Sequence, residues 1–267
     1  QVSLVDSELP RNSELFHDLE PLATTHLQRL VLDTRKCRTS SVGALLGGGA
    51  AWNSSLLDLQ LSCGAVDEHE AEGLAALVTA CPQLQSLALR LQLCGSAVDA
   101  LVSKLPQLPQ LQRCSIADTA GLAAVEGAQR ASRHGRARAG AKVEFAEALS
   151  ELAAAALKRF SSLREVWLDL VHVRELPPAL GIQVLTLHMR SEVWVNEVPV
   201  VLGRCPQLTS FTVYGDILCW RRLHLAADVF AVDALCRALA AQAPPAALQK
   251  LLLNLQLTDV AARQVGQ

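Results

Sequence analysis

The chain has little to stack, few backbone breakers and almost no net charge. Aromatic residues make up 4% of its 267 positions, with one tyrosine, and glycine and proline number only 15 and 11. So few of the latter exclude a collagen-like or Pro/Gly-rich filament. A formal net charge of −2 gives no overall attraction to nucleic acid. No run approaches the roughly 18 consecutive apolar residues that a spanning helix needs. The most apolar helical stretch, 152–157, is six residues between Glu151 and Lys158, so no membrane is expected. Asp6 and Glu8 stand where a signal peptide would carry positive charge and then an apolar run. The first residue is Gln1 rather than Met, which is the expectation for a processed form or a piece of a longer protein.

Signatures of chemistry are also missing. There is no CxxC pair, GxSxG, HExxH or HxE…PCxxC. The run Gly47-Gly48-Gly49 lacks the Gly-Lys-Ser/Thr that completes a phosphate loop. Asp67-Glu68-His69-Glu70 reads as the acidic first turn of a helix, where carboxylates complement the dipole. His17, His26, His172 and His224 show no metal-ligand spacing. The expectation is a non-enzyme with no metal and no cofactor. The eight cysteines (Cys37, Cys63, Cys81, Cys94, Cys114, Cys205, Cys219 and Cys236) recur beside leucine-rich segments. There a free thiol acts as a small buried apolar group, as expected inside a cell, in the cytoplasm.

What the chain does have is apolar mass, 51% of it, arranged in a repeat. The pattern is apolar-x-x-apolar-x-apolar. It occurs at Leu27/Leu30/Leu32, Leu56/Leu59/Leu61, Leu84/Leu87/Leu89, Leu163/Val166/Leu168, Leu208/Phe211/Val213 and Leu248/Leu251/Leu253. Looser copies are Leu111/Cys114/Ile116 and Ile182/Leu185/Leu187. First positions 27, 56, 84, 111, 163, 182, 208 and 248 give steps of 29, 28, 27, 52, 19, 26 and 40 residues. The closing apolar-x-apolar alternates at period two, as a strand does. Between strands, Leu74/Leu77/Val78, Leu101/Val102/Leu105 and Val232/Leu235/Leu239 have helical spacing. One strand and one helix cannot bury their own apolar faces, whereas stacked copies bury a continuous core. Proline closes the helices in Cys81-Pro82-Gln83-Leu84, Leu105-Pro106-Gln107-Leu108 and Cys205-Pro206-Gln207-Leu208.

Residues 77–89 (LVTACPQLQSLAL) and 201–213 (VLGRCPQLTSFTV) resemble the CPxLxxLxL phrase of ribonuclease-inhibitor-like leucine-rich repeats, similar to the arrays of F-box proteins. The resemblance covers roughly residues 22–260. It implies an α/β solenoid with a curved parallel sheet on the concave face and helices on the convex face. Residues 175–180 look like the shorter LPxxL class, which suits the 19-residue step. About 25 residues precede the first repeat, too few for an F-box, so a ubiquitin-ligase role is not implied.

The organisation expected is a single domain over 1–267, with 1–25 as a cap or the remnant of a longer chain and insertions at 117–142 and 215–228. The first insertion carries Arg130, Arg133, Arg136, Arg138 and Lys142 without an aromatic for base stacking, so it reads as a solvated loop and nucleic acid is not the expected partner. The second holds Trp220, Arg221 and Arg222, residue types that anchor interfaces. Strand alternation sends the residues between core positions outward. Among them are Arg90, Arg113, Glu165, Trp167, Asp169, His188 and Tyr214, the candidate partner-binding residues together with Trp220, Arg221 and Arg222. The expected function is non-catalytic protein recognition through the concave face, with the chain as part of a larger complex. The alternative is a scaffold subunit embedded permanently in a large assembly.

Overall fold

The structure, a computed structural model, describes residues 2–5, 26–34, 54–93, 95–118, 139–170, 181–189, 200–215 and 246–254. The described strands are β1 (Val2–Val5), β2 (Arg29–Thr34), β3 (Asp58–Val66), β4 (Ser86–Leu93), β5 (Arg113–Asp118), β6 (Glu165–Leu170), β7 (Val184–Met189), β8 (Ser210–Gly215) and β9 (Lys250–Asn254). The helices are α1 (Glu68–Ala80), α2 (Gly95–Lys104) and α3 (Ala139–Arg159). The chain divides into two compact units, Gln1–Leu163 with β1–β5 and the three helices, and Arg164–Gln267 with β6–β9. Strands neighbour one another in chain order within each unit, and every pair is parallel. A parallel pair cannot be closed by a hairpin and needs a crossover, so this α/β arrangement is compatible with a repeat solenoid.

One turn recurs at four of the repeats. Leu84 N–H donates to the Cys81 carbonyl, Leu111 to Leu108 and Leu163 to Phe160 in the first unit, and Leu208 to Cys205 in the second. The next two amides then share one carbonyl of the preceding repeat. Leu57 and Asp58 both donate to Gln28, Gln85 and Ser86 to Leu57, and Gln112 and Arg113 to Gln85. The second unit repeats the device: Gln183 and Val184 donate to Arg164, Thr209 and Ser210 to Gln183, and Gln249 and Lys250 to Thr209. Burial of the leucine locks the turn, since Leu84, Leu111, Leu163 and Leu208 are all buried.

Two helices bury the stripes that their spacing predicts, and the third stripe, Val232/Leu235/Leu239, lies outside the described residues. Leu74, Leu77 and Val78 of α1 are buried, as are Leu101 of α2 and Leu105 just beyond it, while Val102 is half-buried. Asp67 caps α1: its carboxylate accepts from Glu70 N–H at 2.9 Å, and the Glu70 carboxylate accepts from Asp67 N–H at 3.0 Å. This reciprocal capping box satisfies two amides that no helical carbonyl can reach. Helix α3 packs against α2, β5 and β4. It is held at its end by Arg159 Nη1, which donates to the Leu105 carbonyl, and by Ser162 Oγ, which donates to the Leu111 carbonyl at 2.8 Å just beyond the helix. It starts at Ala139, inside the segment expected to be an insertion.

Several features differ from the sequence expectation. Strand β1 falls within the expected cap and pairs with β2, Val2 beside Leu30 and Leu4 beside Leu32. The first apolar position of its pattern would precede Gln1, so the pattern could not reveal it. Strands β3 and β4 run past the three-residue signature: Cys63, Leu91 and Leu93 continue the buried alternation, and Val66 is buried beyond an irregularity between Ser62 and Ala65. Ala117 lies at an outward position yet is 1% exposed, and nothing in the described residues explains it. Leu251 is a core position by pattern, paired with buried Phe211, but is 42% exposed on β9, the last described strand.

Candidate functional site

Parallel pairing without offset lines up outward residues in rows across neighbouring strands. In Gln1–Leu163 one row is Arg29, Asp58, Ser86 and Arg113, the next Val31, Gln60, Ala88 and Ser115. Arg29 Nε lies 3.2 Å from Asp58 Oδ2, an ion pair between β2 and β3 that is out of line for a hydrogen bond. Arg90 and Arg113 are exposed on β4 and β5 in different rows, Arg90 beside Ala117 and Arg113 beside Ser86. No aromatic side chain stands in these rows.

In Arg164–Gln267 the rows differ. The first is Glu165, Val184, Ser210 and Lys250; the second Trp167, Thr186, Thr212 and Leu252; the third Asp169, His188, Tyr214 and Asn254. Trp167 is half-buried between buried Val166 and Leu168, as an outward residue of a strand should be. His188 and Tyr214 are half-buried and directly paired between β7 and β8. Thr212 is 8% exposed although it occupies an outward position, flanked in its row by Thr186 and Leu252. The structure therefore brings Glu165, Trp167, His188 and Tyr214 onto one face. Asp169 shares it by register, but its side chain lies outside the described residues. Trp220, Arg221 and Arg222 lie outside them too, as do Arg130, Arg133, Arg136 and Arg138 and the side chain of Lys142. Lys250 and Leu252, outward by the same strand alternation, complete the face. Their position between core residues of the last repeat is the signal that marks them.

Among the described residues the cysteines Cys63, Cys81, Cys114 and Cys205 are buried and form no disulfide. Burial pushes the thiol of Cys81 up to about 11, of Cys114 up to about 12 and of Cys205 up to about 11, away from the thiolate that nucleophilic or metal chemistry requires. No group of three or more His, Cys, Asp or Glu side chains among the described residues is placed to hold a metal ion. No helix among them is long and apolar enough to cross a membrane.

No family model and no curated protein matches the chain. Among solved structures, it is similar to a protein of Bacteroides fragilis determined as a structural genomics target. The TM-score is 0.37 at 12% identity, covering 94% of this chain and 71% of that one, a likeness too loose to transfer a fold or a role.

Proposed function

We propose that this chain is a non-catalytic protein-recognition module of leucine-rich-repeat architecture, working without metal or cofactor and reading a protein partner on the outward face of its strands. One observation carries the reading: register places Trp167 beside Thr186, and His188 beside Tyr214, on a single face of β6–β8. Aromatic side chains fixed on a strand scaffold are the residue type that dominates interface energetics. The steps of 27 to 29 residues between the early repeats, and the turn found at four of the repeats, support the repeat class. Buried cysteines that form no disulfide support an intracellular setting.

A second reading, a scaffold subunit built into a large assembly, is favoured by the β9 strand, where Leu251 and Leu252 are 42% and 43% exposed. Exposed apolar side chains on a strand invite a permanent neighbour. Capture from native extract separates the two. The wild-type chain is compared with a Trp167→Ala, His188→Ala, Tyr214→Ala variant whose fold is checked by circular dichroism. Recognition by this face requires a partner whose recovery falls at least ~10-fold in the variant, as loss of interface anchors does. Equal recovery of one large assembly by both chains overturns it in favour of the scaffold.

A further inference from the structure

The first outward row of Arg164–Gln267 has opposite charges at its two ends. Glu165 on β6 and Lys250 on β9 are separated by Val184 and Ser210 on the strands between. Both ends are exposed, and among the described residues neither has an ion-pair partner. Neighbouring strands lie about 4.8 Å apart, so three spacings put these residues about 14 Å from one another. That is too far for them to neutralise each other, and it exceeds the ~8 Å Debye length at physiological salt. The ground between them is apolar or weakly polar: half-buried Val184, Thr186 and Trp167, with buried Thr212 beside them.

An extended polypeptide has a matching ruler. It advances about 3.3 Å per residue and turns every second side chain to one face, so residues i and i+4 stand about 13 Å apart on that face. A helix rises only about 6 Å over the same interval, so charges four residues apart on a helix do not span the row. We infer that this row binds an extended peptide laid across β6–β9, with oppositely charged side chains at i and i+4 and an apolar side chain at i+2. The peptide's cation faces Glu165, its anion faces Lys250, and its apolar residue sits over Val184 and Thr186 against Trp167. The inference rests on the outward-face recognition proposed above and supplies the chemistry of the partner.

The test is a charge exchange. The full chain and its Glu165→Lys, Lys250→Glu variant are panned against a displayed library of random heptapeptides. Selected sequences are then synthesised in both charge orders and titrated by fluorescence anisotropy. Wild type should select opposite charges four residues apart around an apolar residue, in one order. The exchanged variant should select the reverse order. Each protein should prefer its own order by roughly 5–10-fold, falling toward equality at about 0.5 M salt. If circular dichroism shows the exchanged chain unfolded, Glu165→Gln and Lys250→Gln replace it, and each should erase the preference at its own end. The same order from both proteins, or no four-residue charge spacing, overturns the inference. If those peptides still lose binding to Trp167→Ala, recognition by this face survives without the charge assignment. No peptide selected by either protein overturns the peptide partner outright, leaving the capture comparison to judge the face itself.

Discussion

The two units use one backbone device to present two different surfaces. In Gln1–Leu163 the outward rows hold serine, alanine, glutamine and valine with an Arg29–Asp58 pair across β2 and β3. In Arg164–Gln267 the equivalent rows hold Trp167, His188, Tyr214 and the widely separated Glu165 and Lys250. Yet Leu84 and Leu208 are buried at the same turn, closed by the same leucine amide bond to the cysteine carbonyl three residues back. Core leucines and entry turns therefore fix the frame, and the residues between them are free to differ. This is why the second unit carries the stronger candidate for recognition although both are built alike.

The most severe test of that likeness is Leu84→Ala against Leu208→Ala. Each removes a fully buried side chain at the same turn position. Each should cost about 2–5 kcal/mol, the range for emptying a buried leucine site. Urea unfolding followed by hydrogen exchange should show protection lost first in the unit that carries the change. Protection lost first in the opposite unit would break the comparison.

The thiols sharpen it next. Well below the free-thiol value of about 8.5 they are protonated in both folded and unfolded chains. Between there and the raised values of about 11 to 12, the unfolded chain ionises first, so stability falls as pH climbs through that window. Cys81 and Cys114 in the first unit and Cys205 in the second should react with a thiol reagent at pH 8 at least ~100-fold more slowly in the native chain than in urea. Mass spectrometry of each labelled site checks it. Fast native labelling of Cys205 alone would make the second unit the looser one.

A smaller effect is confined to the first unit. Asp67→Ala removes the cap of α1 and should cost about 1 kcal/mol. Glu70→Ala breaks the other half of the capping box and should cost no more than that cap. Thermal unfolding of both variants measures the difference, and an unchanged midpoint for Asp67→Ala would show the cap to be dispensable.

Much of the frame can be read in the residues, because the three-position apolar pattern marks strands and their buried faces directly. Leu30, Leu59, Leu87, Val166 and Leu185 all fall on strands and are all buried. The α/β class and parallel order follow from the alternation of strand and helix spacings. What escaped has identifiable causes. Strand β1 lacks the upstream half of its pattern. The extensions of β3 and β4 are alternations longer than the pattern asks for, and between Ser62 and Ala65 the register with β4 shifts. Burial of Ala117 and Thr212 at outward positions is not encoded by the strand period. On the candidate site, alternation assigns Trp167, His188 and Tyr214 to one face, but only register shows His188 directly beside Tyr214 and Glu165 in the same row as Lys250.

The shared carbonyl at six of the strand entries has a consequence for how such a chain can change. Gln183, Thr209 and Gln249 each enter their strand on a bond to the one before, although the repeats from 163 onward begin 19, 26 and 40 residues apart. The starting point of a strand is thus inherited from its neighbour in space and not counted out along the connection. Connections can lengthen or shorten while the rows stay aligned, much as a reading frame survives the splicing of material between its segments. A surface assembled this way can be revised one position at a time without disturbing its alignment.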